Sequence, residues 1–216
     1  MFQTFLKAAL SLGAALLIAV APVQAEQPKK LYWEDLVPKA DAISHPFGKL
    51  DADVLKDLEA IIWAEMQLKK GNIEKEGETY KLAMALKQEL VAKKIDVDGL
   101  VREFDRIQRL IRQNEMAVVK DLNGKIVRMP GYALPLEMTK DGITEFLLVP
   151  YVGACIHVPP PPPNQLVYVK SSVPWPGNEL WDAVWVTGEL RAGLKDTDVA
   201  ETGYQLAATE MEVYVW

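Results

Sequence analysis

Cysteine is nearly absent: the chain has one, Cys155, and only two histidines, His45 and His157, in 216 residues. A single thiol excludes an internal disulfide, so stability must come from packing even if the chain is exported. Two imidazoles exclude a histidine-rich metal cage. Cations are the minority charge, 24 against 30, for a net charge of −6. Such a balance argues against nucleic acid and against a strongly anionic membrane surface, both of which would repel it. No Gly-x-Ser-x-Gly elbow, His-Glu-x-x-His, Cys-x-x-Cys, phosphate-binding glycine loop or dinucleotide fingerprint occurs. Carboxylates are plentiful, yet no pair of them stands out as an acid/base couple. Past residue 25 no apolar run approaches the ~20 residues that a bilayer crossing takes.

What is present begins with a leader. Lys7 is the sole charged side chain before Glu26, Ala8–Ala21 is apolar, and Val23-Gln24-Ala25 puts small residues where a signal peptidase reads. Residues 1–25 therefore read as a cleavable secretory signal peptide. An uncleaved anchor is the rival reading, but Pro22 follows a run too short for a comfortable span. Half of all residues are apolar, enough for an ordinary core. Residues 26–50 form an arm with Tyr32 and Trp33 around an acidic pair, expected to dock on the main body.

Helical spacing governs residues 51–114. Val54, Leu55, Leu58, Ile61, Ile62 and Met66 form one apolar stripe starting near Asp51. A second helix is expected over Gly77–Lys94 and a third over Asp98–Asn114, the last with an arginine-rich solvated face. These three make a helical lobe. The period then changes to two over residues 115–216. Strands are expected at Glu115–Lys120, Lys125–Met129, Tyr132–Glu137, Ile143–Val149, Tyr151–Val158, Gln165–Lys170, Ala183–Arg191 and Tyr204–Val215, with Asn123-Gly124 as a hairpin turn. Gly131, Gly153 and Gly188 inside these patterns suit bends or bulges. The fold class is α+β: a small antiparallel β-barrel or sandwich with an N-terminal helical lobe.

The runs Leu31-Tyr-Trp-Glu-Asp-Leu-Val-Pro38, Gly124–Glu137, Glu145–Val169, Val184-Trp-Val-Thr-Gly-Glu-Leu190 and Gly203-Tyr-Gln-Leu206 resemble an exported bacterial family catalogued as domain of unknown function 3299. The resemblance covers most of 115–215 and the aromatic arm. It implies a soluble periplasmic protein of the cell envelope, with a transporter among its expected associates, and it implies no activity. The rhythm of residues 184–190 also resembles late strands of oligonucleotide-binding-type barrels, an analogy that says nothing about ligand.

The chemistry concentrates between residues 145 and 169. On a strand at 151–158, Cys155 and His157 share a face with Cα atoms about 6.6 Å apart. Three readings stay open for the pair. Cys155 can be a small buried hydrophobe with His157 its hydrogen-bonded neighbour. The two can ligate zinc or copper, with His45, Glu137 or Met129 as further donors. They can form an activated thiol of an enzyme, though no oxyanion motif accompanies them. Pro159, Pro160, Pro161, Pro162 and Pro163 predict a polyproline II rod about 15 Å long at ~3.1 Å per residue. The rod is either a rigid crossover or, with Asn164 and the nearby Trp175 and Trp181, a preformed docking ridge. The favoured function is non-enzymatic: a binding or accessory component of the envelope, whose partner is another envelope protein.

Overall fold

The computed structural model describes residues 27–153, 160–177 and 181–215. Three helices are followed by a five-stranded barrel. The helices are α1 (Ala52–Lys69), α2 (Glu78–Ala92) and α3 (Val97–Met116). Each lies within a few residues of where its apolar stripe places it. Asp96 caps α3, its carboxylate accepting the Gly99 N–H at 2.9 Å. Lys94 takes a left-handed φ of 62° where α2 ends, and the Ile95 N–H closes that turn on the Leu90 carbonyl. The stripes meet in a cluster of Leu58, Ile61, Ile62, Leu90 and Val97, joined by Phe47 and Phe104. Lys87 ties the three helices from the side, reaching Glu65 on α1 at 3.3 Å and Asp98 on α3 at 2.6 Å. Among the described residues no helix is long and apolar enough to cross a membrane.

A short strand β1 (Lys29–Lys30) opens the arm, and the barrel comprises β2 (Lys125–Thr139), β3 (Gly142–Val149), β4 (Val167–Trp175), β5 (Asp182–Asp196) and β6 (Glu201–Val213). The order is β1-β2-β3-β4-β6-β5, and β2 also pairs with β5. That last pairing closes the sheet, so the architecture is a barrel and not a sandwich. It is not wholly antiparallel either. β6 enters between β4 and β5, and its pairing with β4 runs parallel. Side chains alternating inward from every strand fill the interior, among them Val127, Met129, Phe146, Leu148, Val169, Val186, Tyr204 and Leu206. Burying each of the larger ones is worth roughly 1.5–3 kcal/mol.

Several expected strands differ. Glu115–Lys120 is not a strand: α3 continues to Met116, and Lys120–Leu122 is a 3-10 turn. Asn123-Gly124 consequently makes no hairpin. It seats the start of β2 against β5 instead, with the Gly124 N–H donating to Leu190 and the Asn123 side chain accepting from Ala192. Pro130-Gly131 does not interrupt β2, which runs through both residues. Gly188 does mark a register shift between β5 and β6, and a methyl there would collide with the Ala207 carbonyl.

The arm is firmly docked. Lys29 and Lys30 pair in parallel with Val127 and Arg128, and Leu31 and Leu36 are fully buried in the barrel cluster. Trp33 lies over Gly131, where a Cβ would strike its ring. Tyr204 fixes both ends of the preceding chain to the barrel. Its hydroxyl donates to the Leu36 carbonyl at 2.7 Å and accepts the Val119 N–H at 2.6 Å. Burial pushes that phenol above its ordinary pKa.

Candidate functional site

Cys155, His157 and Pro159 lie outside the described residues, and with them the zinc, copper and thiol readings. The expected strand over Tyr151–Val158 does not hold at its start. β3 ends at Val149, and residues 151–153 turn, with Gly153 at φ 81°. Of the further donors considered, Met129 is sealed inside the barrel and His45 stacks on Phe47. Among the described residues no group of three potential ligands assembles.

The remaining prolines are pressed into the molecule as much as displayed on it. Pro160 is exposed, Pro161 buried, and Pro162 and Pro163 are half-buried. Pro162 has polyproline II angles, φ −63° and ψ 158°, and Pro163–Gln165 then make a single 3-10 turn into β4. Asn164 is only 2 % exposed, and its amide donates to the carbonyls of Asn114 and Ala117 at 2.8 and 3.2 Å. Gln165 donates to the Trp33 carbonyl at 2.8 Å. This segment therefore clasps three things at once: the end of α3, the arm and the start of β4. The two tryptophans part company. Trp175 packs on the barrel core and donates its indole N–H to Asp182 at 2.9 Å, whereas Trp181 packs on an outer cluster with Leu147, Val149 and Leu166.

Two surfaces stand out once the strands are in register. The first lies where the arm crosses β2, β5 and β6. Pro130 pairs with Trp185, which pairs with Glu212, so their side chains share the outer face with Arg128 and Tyr214. Trp185 and Tyr214 stack with centroids 5.2 Å apart. Lys30 Nζ and the Arg128 guanidinium lie 4.8 and 4.6 Å from the Trp185 ring, and Arg128 also pairs with Glu212 at 2.9 Å. The Arg128 Nε is buried without a hydrogen-bond partner among the described residues. Beside this stack is a cavity of about 140 Å³ lined by Tyr32, Trp33, Gly131, Tyr132, Ala183 and Tyr214. A second, of about 430 Å³, continues past Ala183 and Tyr214 to Trp175, Pro176 and Asp182. Tyr214 and Ala183 form the shared wall.

The second surface is a cleft of about 510 Å³ between the outer faces of β2, β3 and β4 and the β5–β6 turn. Its floor is polar. The Tyr168 hydroxyl donates to Glu145 at 2.5 Å, and Lys170, the cross-strand partner of Glu145, donates to the same carboxylate at 2.7 Å. The ammonium of Lys170 and the phenol together hold the Glu145 carboxyl below the usual range. Burial, reinforced by the carboxylate it bonds, pushes Tyr168 up to about 12. Lys195 comes from the far wall and sets its Nζ 4.0 Å from the Tyr168 ring centroid. Perturbed groups in a cleft are a signature of working sites. Sequence patterns do not announce this quartet because its members lie 2 to 50 positions apart and only the β3–β4, β4–β6 and β5–β6 registers bring them together. The Glu145–Lys170 charge pair is the one signal a strand alignment by eye could have raised.

A search of curated proteins finds no match. Among solved structures the chain is similar to the crystal structure of a DUF3299 family protein from Pseudomonas aeruginosa PAO1. Sequence identity is 28 %, with 88 % of this chain and 97 % of that chain covered and a TM-score of 0.51. The family profile described as "Protein of unknown function (DUF3299)" matches residues 33–213, from Trp33 in the arm through all three helices and the whole barrel. The chain belongs to the DUF3299 family.

Proposed function

We propose that this protein is an exported, periplasmic binding component of the cell envelope, and that it docks another envelope protein through the aromatic face around Trp185 and Tyr214. The single observation that carries this reading is the paired cavity with Tyr214 and Ala183 as its common wall. Its lining is tryptophan and tyrosine, with the Trp185–Arg128 stack beside it, the chemistry on which binding energy concentrates. Tyr32, Trp33 and Tyr132 frame the smaller cavity, which fits one apolar side chain of a partner. Trp175, expected from the sequence to take part, lines the larger one. The rigidity has a visible source, since the arm that supplies Tyr32 and Trp33 is buried at Leu31 and Leu36 on either side. Little ordering cost would remain to be met on association.

The barrel supports a fold-level analogy of the same kind. A strand order in which β2 closes on β5, and β6 runs parallel beside β4, is the order expected of an oligonucleotide-binding-type barrel, a scaffold that presents binding surfaces of many chemistries. In this reading residues 51–114 are an appended helical lobe.

The test is photo-crosslinking in the intact envelope. A photoreactive residue at position 214 is expected to give a discrete adduct, and one at Leu82, exposed on α2, is expected to give none. With the partner purified, Trp185→Ala is expected to weaken binding at least tenfold while leaving the thermal midpoint nearly unchanged. Equal adducts from both positions, or an affinity indifferent to Trp185→Ala, would overturn the proposal.

A further inference from the structure

We propose that the cleft beside the β5–β6 turn is a receptor for an organic ammonium group, and that Lys195 is its displaceable internal occupant. The aromatic face of Tyr168 forms the seat. A cation over such a face is attracted by the ring quadrupole, and more strongly as the ring gains electron density. Tyr168 gains it from the hydrogen bond its hydroxyl donates to the Glu145 carboxylate. The seat is occupied by an ammonium already, because Lys195 Nζ lies 4.0 Å from the ring centroid.

Charge settles which ligand class the rest of the cleft favours. Its walls carry the carboxylates of Glu137, Glu145, Asp196 and Asp198. Against them stand Lys195 and, at the edge, Lys170, which is committed to Glu145. Carboxylates are in excess even with Lys195 in place, and removing its ammonium widens that excess. An anion is therefore disfavoured, and an amine enters a field of the right sign. The four carboxylates do not form a metal cage, since no group of three potential ligands converges among the described residues.

Lys195 is poorly anchored by comparison with its neighbours. It makes no close ion pair among the described residues: its charge acts on the Glu145 carboxylate from a distance, and its direct contact is with the ring. Its backbone sits at a register shift between β5 and β6, just before the turn. The turn itself is well held, with Thr197 bonded to Ala200 through both backbone and hydroxyl. A flexible four-carbon stem can thus withdraw from the ring without unfolding the wall behind it. An incoming ammonium competes with this side chain and gains the same seat.

Calorimetric titration of the full-length mature protein tests this with three probes: cadaverine for a free amine, N-acetyl-lysine methylamide for a lysine side chain, and choline for a quaternary head. Isobutanol serves as the uncharged control. At least one ammonium probe is expected to bind, and Lys195→Met is expected to tighten that binding about tenfold. Lys195→Gln, which keeps a polar end, should act in the same direction should the methionine variant lose its fold. Tyr168→Leu is expected to abolish binding, and Tyr168→Phe, which keeps the ring but not the bond to Glu145, to weaken it severalfold. Which probe wins identifies the source of the ammonium. No binding of any probe to either Lys195 variant, binding that survives Tyr168→Leu, or equal binding of isobutanol would overturn the proposal. None of these outcomes bears on the aromatic face, which is lined by a different set of residues.

Discussion

Asn164 shows how much one amide can hold. It is the fifth residue of the described Pro160–Gln165 segment, and sequence alone suggested an exposed contact beside a proline ridge. Its side chain is instead buried, with its amide hydrogens shared between two carbonyls at the end of α3. Asn164→Ala leaves those carbonyls short of a donor in a closed environment, which costs about 1–3 kcal/mol. Chemical denaturation should report a loss of that size, whereas Pro160→Ala, at an exposed position, should change little. Tyr168 makes a second prediction at this scale. Its folded pKa, about 12, is above the ordinary 10.0 of the unfolded chain. The stability it confers is therefore fully present below pH 10 and disappears as the pH rises through about 12. Tyr168→Phe should flatten the alkaline limb of the stability curve in that window. An unchanged limb would mean the phenol does not retain its proton there. Glu145 behaves oppositely: its lowered pKa gives stability above the ordinary carboxyl value that is lost on acidification.

Elements divide cleanly by how local their causes are. The helices were legible because each apolar stripe at 3.6-residue spacing lies within one segment. Ile143–Val149 was legible for a similar reason, as a short apolar run bounded by Gly142 and Pro150. Glu115–Lys120 was not, since the α3 pattern and a strand pattern overlap there and the docking of Tyr204 on Val119 decides the outcome. The start of the expected 151–158 strand failed because Gly153 adopts a backbone conformation no strand uses. Register was the missing quantity for the binding surfaces. Glu145, Tyr168 and Lys195 belong to three strands, and no period within any one of them announces the other two. Packing between elements can be tested at Gly131. A methyl there would meet both Leu148 and the Trp33 ring inside the barrel. Gly131→Ala should cost about 1–3 kcal/mol by overpacking. It should also raise the accessibility of Trp33 to a quencher, because the arm is the softer of the two neighbours. Full retention of stability would mean that the arm is not seated on β2 as described.

At the scale of the whole molecule the described residues keep two main apolar interiors, one among the helices and one inside the barrel, with a smaller cluster on the barrel's outer side. Among the described residues the polar contacts across the seam between helices and barrel include Asn164 at the end of α3 and the Arg112–Glu201 ion pair at 3.6 Å. An exposed pair of that kind contributes little, so of these two the amide contributes more. Among the described residues the closed sheet leaves no long open edge, which suits a chain whose single cysteine gives it no internal disulfide to fall back on.

The position of β6 has a consequence for when this molecule can become itself. The last of the described strands in chain order is the one wedged between β4 and β5. Until it arrives, both of those neighbours present unsatisfied backbone to the surroundings, and the cavity behind them has no wall. Maturation is therefore a late, all-at-once event governed by the C-terminal thirteen-residue strand. A chain stalled or clipped short of Glu201 would expose two sticky borders to any passing polypeptide.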